Sequence, residues 1–247
     1  MARPITLIIA LLLFLPVAVQ AATTELQPVP NLEAQIQAFK DESGRSSPLT
    51  PEDRAVMQRA AKDLAIALPD PGIQVGERAP DFALPNARGE TVSLKELLRQ
   101  GPVVLTFYRG AWCPYCNLEL KALRDTLPRI RGYGASLVAI TPQTPDRSLK
   151  QVEEDGYPFE ILSDLDNRVM QAYRLYFQVS EELNRLYQQK LGLDLAEYNG
   201  EGRYGLPVPG TFVIDKAGVV RAAFADTDYT RRMEPQAILD ALAGLPR

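Results

Sequence analysis

The chain has 247 residues, 46% apolar and 23% charged, with a formal net charge of −4. That is the composition of an ordinary globular protein, and the scatter of both charge signs without a basic block excludes a nucleic-acid surface. There is no histidine, so the commonest general base and the commonest metal ligand are missing together.

Residues 1–21 read MARPITLIIALLLFLPVAVQA. Arg3 is followed by an apolar run over residues 5–19, too short to span a bilayer comfortably, and then by small residues at cleavage positions. This is the pattern of a secretory signal cut after Ala21 or Ala22. An uncleaved membrane anchor is the alternative. No cysteine follows the run, so a lipid-modified N-terminus is excluded. The mature protein is expected to be exported, most simply to a bacterial periplasm. Disulfides persist there, and no stable membrane contact is expected after cleavage.

Residues 22–72 form a helical N-terminal extension. Leu32, Ile36 and Phe39 fall at helical spacing. After the loop SGRSSPLT, Thr50 reads as an N-cap with Pro51 at the first helical position and Asp53 at the third. Met57, Ala60, Ala61, Leu64 and Leu68 give that helix an apolar stripe. The pair is expected to pack on the main domain; a dimer contact is the other use for it.

Residues 73–247 read as one α/β domain. A hairpin turning at Ala87-Arg88-Gly89 and a short helix lead into a buried strand over residues 102–108. A helix over 114–127 follows, stopped by Pro128. Then come a strand over 136–140, a helix over 147–155, a short strand at FEIL and a helix over NRVMQAYRLY. A hairpin turning at Lys216-Ala217-Gly218 and a helix over 235–243 close the chain. This order describes a central mixed sheet flanked by helices.

The two cysteines, Cys113 and Cys116, stand in FYRGAWCPYCNLEL, which begins at Phe107. A structural zinc needs four ligands, and here there are two cysteines and no histidine, so no metal is expected. A disulfide closing so short a loop would stabilise the fold only weakly. Redox use fits the placement. Cys113 lies between a buried strand and a helix, and Cys116 lies one turn on, within disulfide reach. The free N–H groups and dipole of a helix start favour thiolate. Cys113 is therefore the expected nucleophile and Cys116 the resolving cysteine. Arg109 either adds positive potential or is a solvated loop residue. Trp112 is expected to cover the pair. Glu119, one turn past Cys116, either moves protons or is a plain exposed helix residue. No cofactor is called for.

The same stretch resembles the active-site segment of thioredoxin-fold redoxins, in particular the peroxiredoxin-like branch of the alkyl hydroperoxide reductase/thiol-specific antioxidant superfamily. VGERAPDFALPNARGETVSL, LSDLDNRVMQAYRLYF and LPVPGTFVIDKAGVVRAAFADTDYTRR share the likeness, which runs from residue 73 to the C-terminus. It implies a thioredoxin-like fold. Two departures accompany it. Peroxiredoxins carry threonine or serine three residues before the peroxidatic cysteine and proline seven before; here these are Gly110 and Thr106. Their peroxide-binding arginine is replaced by Pro209. VPGTF is instead similar to the proline loop of thioredoxin-like reductases, which implies a cis Pro209 facing the cysteines; a trans proline opening an edge strand is the alternative.

Two activities follow. One is a thiol-dependent peroxidase that reduces hydroperoxides through a Cys113–Cys116 disulfide, recycled by a thioredoxin-like reductant. The other is a thiol–disulfide oxidoreductase acting on protein disulfides. A redox sensor with no enzymatic role is a third use of the same pair. The resemblance favours the peroxidase. The segment 180–206 either walls the site or is a surface excursion, and DTDYTRR reads as a salt-bridged surface turn.

Overall fold

The computed structural model describes residues 28–44 and 48–246; the expected signal sequence and its cleavage point lie outside them. Helices α1 (Leu32–Ser43) and α2 (Pro51–Ala67) come first. The hairpin of β1 (Ala83–Pro85) and β2 (Thr91–Ser93) and helix α3 (Leu94–Gln100) lead into β3 (Val103–Phe107), α4 (Pro114–Gly132) and β4 (Ser136–Thr141). Then follow α5 (Pro145–Asp155), β5 (Glu160–Ser163), α6 (Arg168–Ala172), β6 (Tyr176–Gln178), α7 (Glu181–Leu191) and α8 (Leu195–Asn199). The chain closes with β7 (Gly205–Pro207), β8 (Gly210–Ile214), β9 (Val220–Ala225) and α9 (Pro235–Ala243).

The central sheet has the order β5-β4-β3-β8-β9. Strands β3, β4 and β5 are parallel, β8 runs antiparallel to β3, and β9 antiparallel to β8. Every residue of β3 is buried, which is why VVLTF reads as a run without alternation: both faces are covered. Leu105 and Phe107 face one layer with Tyr173 and Phe212, while Val104 faces the other with Leu123, Leu127 and Ile238. The fold is thus a mixed sheet flanked by helices, as the element order implies.

The extension packs onto this domain. Asn31 caps α1, and the Glu234 carboxylate accepts from the Leu32 and Glu33 N–H groups at 3.0 and 2.7 Å, an anion at the positive end of a helix. Leu32 and Ile36 are buried against Ala122 of α4; burying such a side chain stabilises by about 1.5–3 kcal/mol. Helix α2 has the expected capping box between Thr50 and Asp53. None of its residues is fully buried. It leans on α7 through Met57 and Ala60, which pack with Leu183, Leu186 and Tyr187, and through the pairs Arg59–Glu182 and Lys190–Asp53. Leu64 and Leu68 pack against the sheet layer, and the stripe also borders a cavity.

Three local expectations are corrected. Pro128 does not stop α4, which continues to Gly132. A helix-interior proline costs about 3 kcal/mol; the Pro128 ring itself is exposed. Leu127 and Ile130, on either side of it, are buried in the sheet layer. The helix over NRVMQAYRLY is cut to Arg168–Ala172; Arg174 takes a positive φ of 56° and the chain leaves as β6, which pairs with β7. Among the described residues no peptide bond is cis, so Pro209 is trans. It directly precedes β8, an inner strand, where the absence of an N–H removes nothing from the ladder.

Candidate active site

The redox pair is formed where β3 ends and α4 begins. The Cys113 N–H donates to the Gly110 carbonyl at 3.0 Å, a tight turn that sets Cys113 in the N-cap position with Pro114 at the first helical position. One turn on, Cys116 is fully buried and its thiol donates to Cys113 Sγ at 2.8 Å; both thiols are free. Cys113 is only 1% exposed.

The two thiols are pushed apart in acidity. Burial works against a Cys113 thiolate, but the hydrogen bond from Cys116 and the charges of Arg109 and Arg232 outweigh it, bringing Cys113 down to about 6. For Cys116, burial comes first and the donated bond and charge at Cys113 add to it, holding this thiol well above its ordinary value. Cys113 makes no side-chain cap to the helix; a neighbouring thiol and two guanidiniums stabilise it more than the helix end expected from the spacing.

Arg109 is no solvated loop residue. It is 5% exposed, with its guanidinium 4.9 Å from the Trp112 ring centroid and 4.6 Å from that of Tyr229. Its Nη2 donates to the Tyr187 hydroxyl at 2.9 Å, and its Nε is buried with no hydrogen-bond partner among the described residues. Trp112 is half-buried, packs with the cysteines, and tilts against Tyr187. Tyr187 belongs to α7, so the segment 180–206 does wall the site.

Glu119 is neither exposed nor solvated. Its Oε2 accepts from Arg232 Nε at 2.5 Å, and its Oε1 accepts from Thr106 and Thr211 at 3.2 and 3.0 Å. Arg232 Nη2 in turn donates to Cys116 Sγ at 3.4 Å. A fully buried ion pair thus lies under the resolving cysteine, its spare valences taken by two threonine hydroxyls and by the Tyr229 and Arg231 carbonyls. Burial disfavours the charge on Arg232, but Glu119 outweighs it and holds the guanidinium charged. Arg232 comes from DTDYTRR, read from sequence as a surface turn. Only its outer arginine behaves so: Arg231 pairs with Asp226. The spacing shows nothing that would have singled out Arg232.

A second buried network holds the turn from behind. The Ala111 N–H donates to Gln143 Oε1 at 2.8 Å, Gln143 reaches the Tyr108 hydroxyl, and Tyr108 donates to Gln151. Gln151 bonds Asn117, whose amide donates to the Ala111 carbonyl at 2.7 Å. Neither glutamine was apparent from the sequence.

Gly110 has a local cause. Its φ is +153°, and a Cβ there would lie 2.4 Å from the Trp112 indole nitrogen. The indole occupies the space that a threonine side chain would need. Pro209 borders a cavity of about 530 Å³ between α2 and α7, together with Arg109 and Tyr229. Cys113 opens instead into a cleft of about 800 Å³ walled by α1, α2 and the segment after α7. The structure therefore gathers Cys113, Cys116, Arg109, Trp112 and Glu119; Pro209 lines the neighbouring cavity, which shares Arg109 with the cleft.

Comparison with known proteins places this arrangement. The family model described as AhpC/TSA family matches residues 75–223, well over half of the chain. Alkyl hydroperoxide reductase E of Mycobacterium tuberculosis is 28% identical over 176 residues, covering 70% of this chain and 98% of that protein. A putative peroxiredoxin bcp of Coxiella burnetii is 29% identical over 152 residues, covering 62% and 88%. In fold, the crystal structure of peroxidoxin BcpB from Mycobacterium tuberculosis superposes with a TM-score of 0.56 at 24% identity, over 71% of this chain and 99% of that one. The chain belongs to the AhpC/TSA family.

Proposed function

We propose that the protein is a thiol-dependent peroxidase in which Cys113 attacks the hydroperoxide and Cys116 resolves. The observation that carries this is the Cys113 thiolate, lowered to about 6 beside two buried guanidiniums, with a neutral thiol 2.8 Å away. Its relatives are named alkyl hydroperoxide reductase and peroxiredoxin, which supports the same reading.

The thiolate sulfur attacks the distal peroxide oxygen and the O–O bond breaks. The alkoxide or hydroxide leaves with the bonding pair and takes a proton, and Cys113 becomes a sulfenic acid. The Cys116 sulfur then displaces the hydroxyl, which departs as water with the Cys116 proton, and the disulfide closes. Arg232, on Cys116 Sγ, stabilises negative charge as that thiol ionises. A thioredoxin-like dithiol returns the pair to the reduced state. One preorganised donor is worth about a hundredfold in rate; the unpartnered Nε of Arg109 supplies one in a site without the family's threonine. The oxidoreductase alternative lacks the cis proline that the likeness to reductases implies. The apolar run at residues 5–19 supports export to a periplasm, where this chemistry would act.

The test is stopped-flow oxidation of the reduced protein by hydrogen peroxide, followed by the fluorescence of Trp112. The wild type should react far faster than a free thiol, Cys113→Ser should be silent, and Cys116→Ser should stop at a trappable sulfenic acid. Oxidation of Cys113 at the rate of a free thiol overturns the proposal.

A further inference from the structure

Breaking a peroxide needs a nucleophile and hydrogen-bond donors for the charge that grows on the leaving oxygen. Cys113 is the nucleophile. The donors are less obvious, because two backbone N–H groups of its turn are already taken. The Cys113 N–H donates to the Gly110 carbonyl at 3.0 Å, and the Ala111 N–H donates to Gln143 Oε1 at 2.8 Å.

Two buried side-chain N–H groups among the described residues have no hydrogen-bond partner, Arg109 Nε and Trp112 Nε1. Both residues line the cleft into which Cys113 opens. Folded proteins leave few buried polar groups unpaired, and a catalytic role is one of the reasons they do. The indole nitrogen is also placed. A Cβ built on Gly110 would meet Trp112 Nε1 at 2.4 Å, nearer than the ring carbons. Position 110 is where peroxiredoxins carry threonine or serine, so the indole N–H stands where that side chain would begin. The Arg109 guanidinium lies over the indole, 4.9 Å from its centroid. A cation on that face draws electron density from the ring and makes its N–H a stronger donor. Tyr187 holds both groups from α7: it accepts from Arg109 Nη2 at 2.9 Å, and its ring lies 6.3 Å from the indole.

We propose that Trp112 is a catalytic residue whose indole N–H, together with Arg109 Nε–H, donates to the peroxide oxygens and takes the place of the family's threonine hydroxyl. This rests on the peroxidase reading. The Cys113 sulfur bonds to the distal oxygen and the O–O bond breaks. Sulfur is oxidised to the sulfenic acid, which keeps the distal hydroxyl, and the peroxide is reduced. The leaving oxygen departs with the bonding pair and takes its proton from solvent. The indole keeps its own proton throughout; its hydrogen bond strengthens as the leaving oxygen becomes negative.

The test removes the N–H and keeps the ring. Trp112 is the only tryptophan in the chain, so 3-benzothienylalanine can replace it, with sulfur where the N–H stood. Two rates are measured on the reduced protein by quenching and mass spectrometry: oxidation of Cys113 by hydrogen peroxide and its alkylation by iodoacetamide. Alkylation uses the same thiolate and the same cleft but breaks no O–O bond. With the analogue, oxidation should slow about a hundredfold, the loss expected for one preorganised donor. Alkylation and its pH midpoint should not change. Trp112→Phe should behave in the same way. An analogue that keeps the wild-type oxidation rate overturns the proposal. Equal slowing of both reactions also overturns it, since the ring would then act on access or on thiolate acidity. Rapid oxidation in wild type and analogue alike removes the indole role and leaves the peroxidase reading standing. Wild-type oxidation no faster than that of a free thiol removes both.

Discussion

The two sides of the cysteine pair are built on opposite principles. Beneath Cys116, charge is sealed in and satisfied: Glu119 and Arg232 are almost wholly buried, and each finds further partners among threonine hydroxyls and backbone carbonyls. In front of Cys113, charge is left open: Lys40 and Arg54 line a cleft that has no acid among the described residues lining it. The sealed side puts a charged guanidinium on the resolving thiol. The open side walls the approach to Cys113. Arg109 belongs to both, since it is buried among Trp112, Tyr187 and Tyr229 yet lines the cleft.

Breaking the sealed side should have the largest effect. Glu119→Ala leaves Arg232 charged and unpaired in the interior, and such a loss costs about 3–5 kcal/mol; chemical denaturation of the reduced protein measures it. A loss under 1 kcal/mol would mean that the ion pair is not the anchor described. The next contrast falls on Arg109. In the wild type, alkylation of Cys113 should rise with pH through about 6, as the thiolate forms, and then level off. In Arg109→Met a favourable charge is removed, so the midpoint should move upward by about 1 unit, or about 1.4 kcal/mol. An unmoved midpoint would assign the thiolate to Arg232 and Cys116 alone. At Gly110 the expected effect falls on stability and not on rate. Gly110→Thr meets the Trp112 indole and a φ unfavourable to side chains, which costs about 1–3 kcal/mol. It should lower thermal stability and should not speed peroxide reduction, although it restores the residue type that peroxiredoxins use.

The same contrast explains what could be read in advance. Cys113, Pro114 and Cys116 are local: a strand, a turn and a helix start lie within one short stretch, and periodicity finds them. The capping box of Thr50 and Asp53 is local too. Arg232 is not, because its contact with Cys116 spans 116 residues and leaves no pattern in the chain. Thr211 reaches Glu119 across 92 positions. The place of Glu119 in the helix is local, but its burial depends on those distant partners. Pro128 misled for the converse reason: a strong local signal was overridden by Leu127 and Ile130 packing beneath the sheet. Pro209 was assigned by likeness to a loop whose geometry the chain does not share.

The distance between Cys116 and Arg232 also has a meaning in time. A ribosome adds about 5–20 residues per second, so the cysteines are made some seconds before the arginine that completes their surroundings. Strand β8, which must pair with β3 and brings Thr211 to Glu119, also arrives late. For that interval the nascent chain carries two ordinary thiols. The surroundings of the pair are complete only when the last part of the polypeptide folds back over the first.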